Sequence, residues 1–299
     1  MKNLLGIVFI LVIGFLLNTC ALRKVLAPSK AVTTTATYDS IAILSWNIQD
    51  FGQTKNQEEL SRIARILKPY DLIAIQEVVA GDGGVDAVNR LMNELNKQGD
   101  DYLYVLSEKT NSSSAYASER YAFIWKSDNL KLMGTPKLLA YLDKECDREP
   151  FQALFSPLRG IDTFSISTFH AVSAGKKPEL EVVHLSEIID SSQVKNILIC
   201  GDFNLDEDHS AWSSLYEQGM KNVLDDQPTS LKRRCKNGVY LNHEFDNFFW
   251  TAERMSFGKG VVLDEVKQCE GLDGFRDLSD HLPIVTWLKF EVHPIHLDF

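Results

Sequence analysis

Apolar positions along this chain alternate between two patterns. Residues 41–48, IAILSWNI, are almost unbroken in apolar side chains and read as a buried strand. In residues 57–68, QEELSRIARILK, the apolar positions Leu60, Ile63, Ala64 and Leu67 recur at helical spacing, and Pro69 stops the pattern. Residues 71–78, DLIAIQEV, return to the strand pattern. Residues 84–97 place Val85, Val88, Leu91, Met92 and Leu95 on one helical face. β-like runs follow at 102–108, 120–126, 130–134, 150–156 and 164–170, separated by turn residues. A helix is predicted within 180–192, then strands at 196–203, 244–250, 260–266 and 281–290. No linker-like stretch and no internal repeat interrupts residues 41–290. The alternation predicts an α/β (α+β) domain over 40–292, with two packed sheets flanked by helices and a short tail at 293–299.

The N-terminus departs from both patterns. Lys2 carries one positive charge, and Leu4 to Leu17 then form 14 residues without a polar side chain. That length suits the apolar segment of an export signal and is short for a membrane span of roughly 20 residues. The segment ends in Leu17-Asn18-Thr19-Cys20, which resembles a bacterial lipobox with Cys20 as the lipidated mature N-terminus. The reading is a lipoprotein-type signal over 1–19, with plain secretion or an uncleaved anchor as alternatives. Residues 20–39, with several threonines and little periodicity, read as a tether lifting the domain off a membrane.

Charge narrows the function classes. The chain has 299 residues and a formal net charge of -10. A module that holds nucleic acid by counterion release alone is usually basic. An acidic chain can still meet phosphates through a divalent cation, which supplies the missing positive charge. The exception to the acidic surface is KRRCK at 232–236, read either as a solvated loop or as a phosphate-steering patch. Among the cysteines, Cys200 lies in an apolar strand and reads as a buried free thiol, and Cys235 and Cys269 are able to pair.

Polar residues cluster where the strands end. Asn47 follows Ser-Trp, Glu77 follows Ile-Gln, His170 follows Thr-Phe, and GDFN carries Asp202 and Asn204. Asp246 sits in FDN, and Asp280 and His281 precede the last apolar run. Each alone has a bland reading as a strand-end or turn residue. Together they suit a metal-assisted phosphodiesterase. Glu77, Asp202 and Asp280 offer hard oxygen ligands for Mg²⁺ or Ca²⁺. Two histidines can take and give protons near neutral pH. Each needs a carboxylate to orient it, and Glu119 and Asp246 are the candidates.

The ordered series SWNIQDFG, IQEV, SERYAFIW, REPF, FHA, GDFN, FDNFFW and SDHLP resembles the endonuclease/exonuclease/phosphatase superfamily, closest to its deoxyribonuclease I-like branch. The resemblance spans residues 41–290 and implies a four-layer sandwich with the site at one sheet edge. It implies Glu77 as the principal metal ligand, aided by Asn47 and Asp280. Asp202 and Asn204 would act beside the scissile phosphate. His170, partnered by Glu119, resembles the general acid, and His281, partnered by Asp246, the general base. Arg148 resembles an arginine that contacts DNA phosphate. Gly201 is read as allowing a tight turn before Asp202. The implied cofactor is Mg²⁺, with Ca²⁺ or Mn²⁺ as alternatives. The implied partner is DNA, cut by a monomer that reaches a membrane only through its lipid. A sphingomyelinase or inositol-phosphate phosphatase of the same superfamily is the alternative. The sequence departs from pancreatic-type enzymes at Ala117, with Tyr116 beside it, and at Val78-Val79, where those enzymes carry DNA-contacting residues.

Overall fold

A computed structural model describes residues 38–97 and 99–292. The expected export signal, the tether through residue 37, Cys20 and the tail at 293–299 lie outside the described residues. Among the described residues no helix is long and apolar enough to cross a membrane.

The first sheet begins with β1 (Tyr38–Phe51), β2 (Leu72–Val79), β3 (Tyr102–Leu106) and β4 (Glu119–Lys126). The second contains β5 (Leu130–Leu138), β6 (Phe151–Pro157), β7 (Phe164–His170), β8 (Ile197–Asp202) and β9 (Lys221–Asn222). Strands β10 (Leu231–Lys236) and β11 (Val239–Leu241) pair only with each other. β12 (Asp246–Thr251) rejoins the second sheet. β13 (Ser256–Phe257), β14 (Val261–Val262) and β15 (Ile284–Glu291) complete the first. The first sheet runs β13-β15-β1-β2-β4-β3, with β14 also on β15, and the second runs β5-β6-β7-β8-β12-β9.

Each sheet is antiparallel except for one central parallel pair: β1 with β2 in the first, β7 with β8 in the second. The crossover between β1 and β2 carries α1 (Gln57–Leu67), and α2 (Asp82–Asn96) packs beside it. Asn56 caps α1, accepting from the Glu58 and Glu59 amides while Glu59 accepts from the Asn56 amide.

The strands are apolar on both faces because both faces are covered. Leu44, Trp46 and Ile48 of β1 face α1 and α2, with Leu60, Ile63 and Leu91. Ile41 and Ile43 of β1 face the other way, meeting Phe123, Phe155, Ile166 and Leu198 between the sheets. On the far side of the second sheet, Ile197, Ile199 and Phe249 meet Val182, Leu185, Ile188 and Trp212. The result is the expected four layers.

Two predicted elements are corrected. The expected helix within 180–192 is helical in three short pieces, α-helix at Glu179–Val182 and Glu187–Asp190 with a 3-10 helix at Val183–Ser186 between them. Its buried residues, Val182, Leu185 and Ile188, recur every third position, which suits a tighter coil than the α-helix. The expected strand at 260–266 pairs only at Val261–Val262. The Asp264 carboxylate then accepts from the Val266 and Lys267 amides and turns the chain. Cys200 is a free, buried thiol, and Cys235 is bonded to Cys269.

Candidate active site

The two parallel pairs end on the same edge of the sandwich, and their last residues face one another. The first sheet contributes Asn47 from β1, Glu77 from β2 and Glu119 from the start of antiparallel β4. The second contributes His170 from β7, Asp202 from β8 and Asp246 from the start of antiparallel β12. The two sheets therefore supply matching positions. The seventh residue, His281, comes from the turn before β15.

Backbone irregularities aim these groups. The β1–β2 register shifts between Asn47 and Phe51, and the β2–β4 register shifts between Ile75 and Val78. A bulge of this kind re-aims a side chain at the end of a strand. Glu77 sits in it with φ of 60°, and Asn204 follows β8 with φ of 50°. Residues without the freedom of glycine hold this conformation only where their surroundings enforce it. Gly201 has a different reason from the turn expected of it. A side chain there would have its first carbon 1.9 Å from the Phe169 carbonyl oxygen, and φ is 140°. Glycine is needed because β7 and β8 approach closely, which brings His170 level with Asp202.

The hydrogen bonds converge on Asp202. Asn47 Nδ2 donates to Glu77 Oε1 at 3.0 Å and to Asp202 Oδ2 at 2.9 Å. The other Glu77 oxygen accepts from the Asp50 amide at 3.0 Å. His170 Nδ1 meets Glu119 Oε2 at 2.9 Å, and its Nε2 lies 3.5 Å from Asp202 Oδ2. His281 Nδ1 meets Asp246 Oδ2 at 2.7 Å, and its Nε2 is also 3.5 Å from Asp202 Oδ2. Asp202, Glu119, Asp246 and both imidazoles are buried. The cleft above them encloses about 410 Å³ and is lined by Glu77, Arg148, His170, Asp202, Asn204 and His281, among others. Fully exposed Tyr116 and its neighbour Ala117 form part of the rim.

Burial by itself would lower the basicity of both imidazoles. At His281 the carboxylates of Asp246 and Asp202 outweigh it and hold the ring well above its ordinary value. At His170 burial is outweighed by Glu119, and the nearby Arg148 cation works against the rise. Both rings favour the cation, His281 more strongly.

Two expected residues sit differently from their predicted roles. The Arg148 side chain is only 11% exposed and turns inward. It donates to the His170 carbonyl at 2.9 Å and to the Ala171 carbonyl, and lies 3.4 Å from Glu119. The Asp280 carboxylate lies 4.0 Å from Arg276. Asn204 donates to the Ala171 carbonyl at 3.2 Å, on the cleft wall. Sequence reasoning missed Thr229, which donates to Asp246 at 2.6 Å, and Lys55. The buried Lys55 ammonium donates to the Asp277 and Leu278 carbonyls and pins the loop leading to His281. Thr229 and Lys55 lie in polar loops with no pattern to mark them.

The donor set suits a hard divalent cation. Glu77 and Asp202 approach around one Asn47 amide, and the buried Asn47 Oδ1 has no hydrogen-bond partner. Oxygen-rich, net-negative surroundings of this kind are what Mg²⁺ and Ca²⁺ require. The group Asp202, Asp246 and His281 also brings ligand-type atoms within 4.8 Å of one another. The His281 ring is already bonded to Asp246 there, so the open oxygens lie on the Glu77 side.

Comparison with known proteins agrees with this geometry. Residues 44–264 match the model of the endonuclease/exonuclease/phosphatase family. The chain is 31% identical over 193 residues to deoxyribonuclease-1 of Oryctolagus cuniculus, covering 59% of this chain and 66% of that protein. It thus spans just under two thirds of that relative. It is 31% identical over 295 residues to a deoxyribonuclease of a Thioalkalivibrio species, covering 91% of this chain and 75% of that one. A solved family protein from Bacteroides thetaiotaomicron superposes with a TM-score of 0.62 at 13% identity, over 86% of this chain and all of that one. The chain belongs to the endonuclease/exonuclease/phosphatase family, in its deoxyribonuclease I-like branch.

Proposed function

We propose that the protein is a divalent-metal-dependent endonuclease that hydrolyses DNA phosphodiester bonds with little sequence specificity. Family membership and the two named deoxyribonucleases support a phosphodiester hydrolase. One observation carries the finer reading: two imidazoles, each backed by a carboxylate, face a single buried aspartate beside an oxygen-rich cation site.

In this reading Glu77 and Asp202, with Asn47 between them, hold the metal. When bound, the ion neutralises the carboxylates and draws charge from the phosphoryl oxygens. Asn204 lines the cleft where a phosphoryl oxygen would accept its amide proton. Each histidine donates Nδ1–H to its carboxylate, which leaves Nε2 as the atom that exchanges a proton with the substrate side. In this reading His281, once neutral, accepts the water proton and His170, as the cation, protonates the leaving oxygen; the resemblance supports that order, and the two Nε2 atoms at 3.5 Å from one Asp202 oxygen are placed alike for it. Asp246 and Glu119 fix the tautomers and stabilise the cations.

Arg148 is reassigned within this proposal from phosphate contact to positioning, because its donors are engaged by backbone and Glu119. Asp280 enters as a distant negative charge near His281 rather than as a ligand. We also propose export with lipid attachment at Cys20, from the apolar run and cysteine of residues 1–20.

The test is incubation of purified residues 30–299 with supercoiled plasmid, in Mg²⁺ plus Ca²⁺ and in EDTA, beside His170→Ala. Nicking that needs metal and His170 is the expected result. An intact plasmid with release of phosphocholine or of phosphate from an inositol phosphate would replace the nuclease reading with the sphingomyelinase or phosphatase one.

A further inference from the structure

We propose that the β10–β11 hairpin is a second anion-binding surface, gripping the nucleic-acid backbone outside the cleft on the His281 side. The inference rests on the nuclease reading above.

The hairpin carries Lys232, Arg233, Arg234 and Lys236 within five residues of a chain whose net charge is -10. Arg233, Arg234 and Lys236 are exposed and Lys232 is partly so. Among the described residues, none of the four lies within 4 Å of a carboxylate. Arg120, Arg159 and Arg254, elsewhere on the surface, each do, at 3.7, 2.6 and 3.5 Å. A cation left without a protein partner stays available to an external anion.

The array is ordered. Leu231 is buried, Tyr240 and Leu241 pack on the helix-side core, and Cys235 is bonded to Cys269. The hairpin backbone is held at these points, so less conformational freedom is lost on binding than with cations on a free segment. The array is also continuous with the site. Thr229 bonds Asp246, Ser230 pairs with His281, and the Leu231 amide donates to the Asp280 carbonyl at 2.8 Å. At a rise of about 3.3 Å per residue, residues 233–236 lie roughly 10–20 Å along the strand from that root. That reach covers more than one phosphate, since each strand of the duplex carries one per about 3.4 Å of helix axis. Within the cleft the Arg148 guanidinium is engaged by backbone carbonyls and Glu119, and both imidazoles are engaged by carboxylates. A polyanion longer than one diester therefore finds its backbone contacts on this flank.

The experiment compares wild type, Arg233→Gln/Arg234→Gln, and the charge-matched control Lys131→Gln/Lys137→Gln on edge strand β5. Binding of a fluorescent duplex is followed by anisotropy in EDTA, so the readout does not depend on cleavage. The expected result is that the hairpin variant binds roughly 10- to 100-fold more weakly near ~0.1 M salt. Its slope of log affinity against log salt should flatten by about 2, one for each lost phosphate contact. The control should keep the wild-type slope. Equal slopes in wild type and hairpin variant, or no duplex binding by wild type, would overturn the proposal. So would loss of binding to phosphatidylglycerol vesicles with duplex binding intact, which would assign the patch to a membrane. The nuclease reading fails separately, through an intact plasmid, whatever the slopes.

Discussion

The two histidine–carboxylate pairs look alike from the cleft and differ behind it. Each spans the two sheets, and each turns Nε2 to the same Asp202 oxygen at 3.5 Å. Glu119, however, also faces Arg148 at 3.4 Å and accepts from the Glu77 amide at 3.3 Å. Asp246 faces no cation besides its histidine among the described residues, only the Thr229 hydroxyl and the Asp202 carboxylate. A carboxylate shared with a guanidinium has less charge to give an imidazole. His281 is accordingly held further above its ordinary value than His170. Protonation preference here is set by the third residue in the chain of contacts, and matching strand positions alone do not determine it.

The largest effects test whether the pairs act at all. His281→Ala and His170→Ala should each lower kcat/KM for plasmid nicking by about 10²- to 10⁴-fold, the usual range for a lost proton-transfer group. Near-full activity in both would remove the acid–base pair. The next step separates the carboxylates. Asp246→Asn should cut activity by about 10²-fold or more, with the acid limb of the pH profile moved to lower pH, because His281 loses its principal charge partner. Glu119→Gln should add a stability loss of about 1–3 kcal/mol, since a buried guanidinium is left undercompensated. Denaturant melts of both variants read that difference. Equal stability losses would show that Arg148 does not distinguish the two sides.

Arg148 supplies a smaller test of the same asymmetry. As a positioning residue, Arg148→Lys should lower kcat by about tenfold, or ~1.4 kcal/mol, through His170 and Glu119 with KM little changed. The alkaline limb set by His170 should move as well. A rise in KM alone, with the pH profile fixed, would restore the phosphate contact that the sequence suggested.

That suggestion shows where sequence reading stopped. The strands and α1 and α2 were legible because apolar runs and 3.6-residue spacing follow directly from which faces are covered. Asn47, Glu77, His170, Asp202, Asp246 and His281 were legible as candidates because polar residues at the ends of apolar runs are conspicuous. Their convergence was not. It depends on bulges at Glu77, on the close approach at Gly201 and on the register of two sheets, which no local pattern records. The contacts that Arg148 and Asp280 make were not legible, because a motif fixes a residue's place in the chain without fixing its rotamer. Thr229 and Lys55 went unseen because their partners are a distant carboxylate and distant carbonyls.

The smallest predicted effect reads the asymmetry in stability alone, without metal. A histidine whose folded value is raised above its unfolded value stabilises the fold through its proton. That contribution is fully present below the ordinary value of about 6.5 and is lost as pH rises through the raised folded value. In EDTA the denaturation midpoint should therefore fall as pH rises above about 6.5, and His281→Gln should flatten that fall more than His170→Gln. Divalent cation should also flatten it in wild type, because the ion supplies at Glu77 and Asp202 the positive charge that the protonated rings supply in its absence. A fall that His170→Gln flattens more than His281→Gln would reverse the order of the two pairs. The guanidinium that Glu119 faces and Asp246 lacks would then not be what separates the two pairs.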